Sequence, residues 1–301
     1  MPYRQRLLAY AQLLRLPNVF TAFADIAMTA CAGVAVLPEL SPEYLQAMAL
    51  LALVSGCLYL AGMVWNDVFD REEDRRDRPF RPLPSGRVSL RTAAFLGTGL
   101  TFVGVALAFL ADAAALGICL ACAVLLYDAW LKRTPLGPIA MAACRFLNVL
   151  LGLSAIPDAA LNESLRIHLA AVVGIYIVGV TWFARTEASA SNRWHLRGAA
   201  LVMVAALVLA LVLRSRLAIA APAAFLFPYL LVAFGFWIGI AIARAIRQPG
   251  PKEVQTAVKR CVLGLAALDA VLATAFVGVP GLLVLLLLPP ALALGKWVYS
   301  T

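Results

Sequence analysis

Residues 66–89 read N-D-V-F-D-R-E-E-D-R-R-D-R-P-F-R-P-L-P-S-G-R-V-S and stand at the end of a long apolar segment. Asn66, Asp70 and Asp74 recur every four residues, so on a helix they stack along one face, with Asp67 one step round. Like charges this close repel unless something cationic sits among them. Clustered carboxylates beside an amide oxygen are the ligands that a hard ion such as Mg2+ prefers. Asn66, Asp67, Asp70 and Asp74 are therefore candidate metal ligands, with Asp67 and Asp70 also candidates for direct catalytic roles. A solvated acidic helix end would account for the charge, but not for the amide, the spacing and the following turn together.

The N-D-x-x-D-x-x-x-D string followed by R-P-L-P-S-G-R at residues 81–87 closely resembles the first signature of the UbiA superfamily of intramembrane prenyltransferases. That resemblance implies an all-α bundle of about nine transmembrane helices around a central cavity. It also implies Mg2+ as cofactor, and transfer of a prenyl group from a prenyl diphosphate to a small, usually aromatic acceptor.

Composition points to the same fold class independently. The chain has 301 residues, 63% of them hydrophobic and 14% charged, and its mean hydropathy is +0.89, unlike a soluble domain. Apolar runs near the length needed to cross hydrocarbon fall at 18–37, 45–65, 92–111, 113–131, 137–156, 167–184, 198–213, 218–243 and 257–278. A further stretch at 281–299 is broken by Pro289-Pro290, and residues 1–301 are read as one polytopic domain. The net charge of +9 does not form a patch with interleaved aromatics, which excludes nucleic acid as a partner. Instead, basic residues crowd alternate connections, with Arg71 to Arg91, Lys132, Arg133, Arg185, Arg244 and Arg247 on one side and only Arg166, Arg214 and Arg216 opposite. This makes the carboxylate side cytoplasmic and predicts an integral membrane protein, expected in a bacterial inner membrane.

Ionisation of an allylic diphosphate needs cations for its phosphates. Arg81 follows the acidic ridge, and Tyr127-Asp128-Ala129-Trp130-Leu131-Lys132-Arg133 is similar to the family's Y-x-x-x-x-K-R segment, which implies diphosphate contacts for Tyr127, Lys132 and Arg133. Asn18 resembles the family's polar position at the mouth of the first helix. Arg145 and Asn148, one helical turn apart within a span, are expected to face the cavity, Arg145 with a catalytic role. Asp25 is a possible partner for Arg145, and Asp269 is either a packing partner or part of the cavity lining.

The chain departs from the family at the second acidic motif, which here reads F-A-R-T-E-A-S-A-S-N-R over residues 183–193. Glu187 is the one carboxylate that remains, kept as a catalytic candidate, and Arg185 is added as a phosphate-binding candidate in place of a second metal. The pattern resembles a divergent, ebo-operon-like subgroup. Two rivals stand beside the prenyltransferase: a non-catalytic lipid-diphosphate binder, and a secondary transporter suggested by the intramembrane charges. The D-G-x-x-A-R string of CDP-alcohol phosphotransferases does not occur.

Overall fold

The computed structural model describes residues 3–185, 191–217 and 224–299, and among these it contains helices and no strands. A short basic helix α1 (Tyr3–Leu13) precedes α2 (Val19–Val36), α3 (Pro42–Phe69) and the small α4 (Arg71–Asp77). Then come α5 (Leu90–Leu110), α6 (Ala114–Ala129), α7 (Gly137–Leu153), α8 (Glu163–Ala184), α9 (Arg193–Arg216), α10 (Phe227–Arg247) and α11 (Pro251–Val277). A 3-10 segment, Val279–Leu287, leads into α12 (Leu288–Tyr299). Each of the nine expected spans has its helix, α2, α3 and α5 to α11. Among the described residues eight helical stretches, including 279–298, are long and apolar enough to cross a membrane, while α6 and α7 are shorter apolar helices.

The helix starts follow from local chemistry. Ser41, Ser89, Asn162 and Asn192 each accept a hydrogen bond from a backbone N–H of the first turn, which satisfies a donor that the helix cannot. Pro228 lies in the first turn of α10, where a missing N–H costs nothing.

Helix α11 packs against α10, α8 and α2, so the chain closes into a ring. The apolar windows of α8 and α11 are 61% and 72% buried against 22% for α5, which places the first two inside and α5 on the lipid side. Phe95, Phe102 and Phe109, seven residues apart, form an exposed stripe on α5, a surface suited to hydrocarbon. Inside, α2 and α7 approach closely at Gly152, where a Cβ would lie 2.2 Å from Thr29 Oγ1. This contact brings the polar face of α7 against Asp25.

The last stretch also traverses the bundle. It leaves α11 through Gly278, whose φ of 70° suits only glycine, and returns to the opposite end, where Gln12 Nε2 donates to the Val298 carbonyl at 3.0 Å. Pro289 and Pro290 do not break a helix; they fall in the first turn of α12.

Candidate functional site

Helix α3 ends at Phe69 and α4 begins at Arg71, yet the backbone bonds Asp70 N–H to Asn66 O (3.0 Å) and Asp74 N–H to Asp70 O (2.8 Å) carry the four-residue register across the junction. The ridge predicted from spacing therefore survives a helix break. Asp67 and Asp74 are buried, and Asp70 is mostly so. Each carboxylate has a cation. Arg15 Nη2 donates to Asp67 Oδ1 at 2.9 Å and to Asn66 Oδ1 at 3.0 Å, and Arg81 Nη1 reaches Asp74 at 2.7 Å and Asp67 at 3.6 Å. Lys132 and Arg133 clasp the two oxygens of Asp70, both at 2.7 Å.

The R-P-L-P-S-G-R turn explains how Arg81 arrives there. Leu83 and Val88 are buried with Ala9, Leu13 and Val64, anchoring the turn on α1 and α3. Arg87 donates to the Phe80 carbonyl at 2.6 Å and to Gln12 Oε1 at 2.7 Å, closing the loop. Arg15 is positioned with backbone strain: its φ of 45° is uncommon for a residue with a side chain, and it sits just before the 3-10 turn Leu16–Asn18.

Beneath this layer lies a cavity of about 330 Å³. Asn18, Asn66, Tyr127 and Asp128 line it on the ridge side, and Leu58, Leu120, Val124, Ile177, Val180 and Leu265 form apolar wall. Asp128, buried, accepts from Asn66 Nδ2 at 3.0 Å. Arg145 and Asn148 also line the cavity, but both are committed to α2: Arg145 Nη1 to Asp25 Oδ2 at 3.1 Å, Arg145 Nη2 to Thr21 Oγ1 at 2.7 Å, and Asn148 Nδ2 to Asp25 Oδ2 at 2.7 Å. The guanidinium stands 5.3 Å from the centre of the Tyr59 ring. Asp269 is fully buried against Asp25, and both its oxygens, like Asp25 Oδ1, lack a hydrogen-bond partner. Asp269 is thus a packing partner, not a lining residue.

The structure brings Asn18, Asn66, Tyr127, Arg145 and Asn148 to the wall of one cavity, and Asp67, Asp70, Asp74, Arg81, Lys132 and Arg133 into the ion-paired layer at its polar end. Arg185 is different. It donates to the backbone carbonyls of Thr134 and Pro135, clamping the connection between α6 and α7, and it is not among the cavity-lining residues. The expectation that it points at the phosphates is corrected, because the Thr134 and Pro135 carbonyls of the α6–α7 connection take its donors. Glu187 lies outside the described residues. Arg15, Asp128, Thr21 and Tyr59 had not been singled out as site residues; only Asp128 had a signal, standing inside the Y-x-x-x-x-K-R string.

The donor set fits Mg2+ in a particular way. Its ligands are oxygens, yet among the described residues no three acidic, histidine or cysteine side chains converge into a ready cage. Mg2+ is commonly held by one or two carboxylates together with substrate phosphates and water, and such a ridge can provide those carboxylates.

Digeranylgeranylglyceryl phosphate synthase of Saccharolobus solfataricus is 36% identical over 147 residues, 48% of this chain and 50% of the relative. The Methanopyrus kandleri protein of the same name is 41% identical over 110 residues, 36% of this chain and 41% of the relative. The chain spans about half the length, or less, of these curated relatives. A solved structure of digeranylgeranylglyceryl phosphate synthase covers 91% of this chain and 99% of its own with a TM-score of 0.66 at 21% identity. A UbiA homologue from Archaeoglobus fulgidus bound to DMAPP and Mg2+ covers 87% and 98% with a TM-score of 0.58 at 17% identity, similarities that establish the fold. The UbiA prenyltransferase family pattern matches residues 26–261, from within α2 to within α11, and the chain belongs to that family.

Proposed function

We propose that this protein is a Mg2+-dependent prenyltransferase that moves a prenyl group from an allylic prenyl diphosphate to a small acceptor within the membrane. The observation that carries the reading is the layer of Asn66, Asp67, Asp70 and Asp74, interleaved with four cations, at the polar end of a cavity with apolar walls. In this reading Asn66, Asp67, Asp70 and Asp74 hold Mg2+, which neutralises charge developing on the diphosphate. Arg81, Lys132 and Arg133 turn to the phosphate oxygens as the bond from the prenyl carbon to the diphosphate oxygen breaks, its electron pair leaving with the diphosphate. Apolar walls hold the chain and keep water from the electron-poor carbon. Asn18 and Tyr127 bound the mouth, and Arg145, neutralised by Asp25, fixes α2 against α7.

The sequence resemblance favours an aromatic acceptor. The relatives' name, a glyceryl phosphate carrying two geranylgeranyl chains, supports an alcohol on a phosphate-bearing glycerol instead, and we adopt that acceptor. A cytoplasmic orientation of the ridge, supported by the basic connections on that side, and a bacterial inner membrane, expected from sequence alone, belong to the same proposal.

One observation favours a second reading, a lipid-diphosphate binder without transfer: Arg185 is spent on Thr134 and Pro135 and does not replace the reduced second acidic motif. One experiment separates the two. Purified protein in lipid nanodiscs is incubated with labelled prenyl diphosphate and Mg2+, with and without a prenylglyceryl phosphate acceptor. Diphosphate release that needs both Mg2+ and acceptor supports transfer. Saturable binding of uncleaved substrate in every mixture supports the binder and removes the enzyme.

A further inference from the structure

At the same end of the bundle, where α10 ends and α11 begins, lies a second recess of about 470 Å³ that shares no lining residue with the central cavity. Arg244 and Arg247 face it from one turn of α10. Lys252, Thr256 and Arg260, four residues apart, face it from one stripe of α11. Glu253 is the one carboxylate in the lining, so four cations meet a single negative charge.

Their pairing sets these cations apart from those of the active-site layer. Arg15, Arg81, Lys132, Arg133 and Arg145 each have a carboxylate within ion-pair distance, whereas among the described residues Arg244, Arg247, Lys252 and Arg260 have none. Positive-inside anchoring requires only that cations lie in the polar layer. It gives no reason for four to converge, unpaired, on one concavity. Arg260 is held in place within the recess: its guanidinium stacks 5.6 Å from the centre of the Trp237 ring and donates to the Trp237 carbonyl at 3.3 Å.

We propose that this recess binds the phosphate of an anionic phosphate ester at the membrane surface. Guanidinium forks from two helices match phosphate oxygens, and basic pockets between membrane helices hold such headgroups. Two contacts give occupancy a consequence. Ser191 N–H donates to the Pro249 carbonyl and Arg193 Nη2 to the Arg247 carbonyl, both at 3.0 Å, so the α10–α11 connection is tied to the last residues of the reduced second motif.

The phosphate could belong to a lipid or to a soluble ester, and one titration distinguishes them. Full-length protein in neutral detergent is titrated with short-chain phosphatidylglycerol, the matching phosphatidylcholine, glycerol 3-phosphate and inorganic phosphate, with retained ligand counted by native mass spectrometry. The double variant Arg244→Gln/Arg247→Gln is compared with Arg4→Gln/Arg6→Gln, which removes equal charge from exposed positions on α1. Wild type and the α1 variant should retain phosphatidylglycerol over phosphatidylcholine, while the recess variant weakens retention about 30-fold, and Lys252→Gln by a smaller factor. Competition by glycerol 3-phosphate or inorganic phosphate at equal concentration would assign the site to a soluble ester, and its lack to a lipid. Equal retention by the recess and α1 variants, both with wild-type melting curves, would overturn the proposal.

Discussion

The buried cluster between α2, α7 and α11 allows a prediction in which neighbouring charges carry opposite signs of effect. Asp25 and Asp269 are fully buried, and Asp25 Oδ2 receives Arg145 at 3.1 Å and Asn148 at 2.7 Å. Arg145→Ala strands the Asp25 carboxylate with one amide donor and frees Thr21, and removing one partner of a buried ion pair costs about 3–5 kcal/mol. Asp25→Asn should cost a similar amount, since it leaves the guanidinium uncompensated. Asp269→Asn should do the reverse. An amide at 269 removes the like charge that faces Asp25 and supplies a donor to Asp25 Oδ1, which no other side chain reaches. Satisfying such a group stabilises by about 1–3 kcal/mol. Unfolding by chemical denaturant in mixed micelles, followed by tryptophan fluorescence, measures all three variants. If Arg145→Ala unfolds like wild type, or Asp269→Asn loses as much as Asp25→Asn, the cluster is hydrated and not a closed ion pair.

Two further predictions concern the acidic ridge and its supports. Asp70→Ala should abolish Mg2+-dependent binding of a non-hydrolysable prenyl diphosphate in calorimetry at a smaller stability cost than Asp67→Ala, because Asp70 is 18% exposed and one of its two partners, Arg133, is 46% exposed and can turn to water. Asp67→Ala should lose the same binding and also about 3 kcal/mol, since the buried Asp67 holds Arg15 and helps hold Arg81; equal melting of the two variants would contradict this. Arg185→Ala should weaken diphosphate binding about threefold, by loosening the connection that presents Lys132 and Arg133, and less than Lys132→Ala does. A loss as large as that of Lys132→Ala would put Arg185 on the phosphates after all.

The spans and the ridge were legible because length, hydropathy and four-residue spacing are local properties that helices preserve. Even the break at Asp70 left the spacing intact. What escaped was pairing over long separations. Arg15 reads as one more basic residue before the first span, and only folding brings it, 52 positions away, onto Asp67. Reading the ridge as self-repelling followed from its own residues alone; the neutralising charges come from the α1–α2 turn, the R-P-L-P-S-G-R turn and the α6–α7 connection. Arg185 misled for the opposite reason, since adjacency to the reduced second motif suggested phosphate contact while the exposed carbonyls of Thr134 and Pro135 were invisible in sequence.

That pairing has a consequence for how substrate binds. Asp67, Asp70, Asp74 and Asp128 stand among Arg15, Arg81, Lys132 and Arg133, four carboxylates with four cations, so the polar layer is close to neutral before any ligand arrives. A bare diphosphate entering this layer would have to draw cations off carboxylates and leave those carboxylates unpaired beside it. Mg2+ alone would have to displace the same cations, with no phosphate to receive them. Together the exchange balances: the carboxylates take the metal and the cations take the phosphate oxygens. Mg2+ and prenyl diphosphate should therefore bind with positive coupling, each strengthening the other at least tenfold, a free-energy coupling of about 1.4 kcal/mol or more that is reciprocal by linkage. Calorimetric titration of diphosphate in EDTA and in Mg2+, and of Mg2+ with and without a non-hydrolysable diphosphate, measures both sides of the cycle. Diphosphate binding as tight in EDTA as in Mg2+ would mean that free cations, not exchanged ones, receive the phosphates.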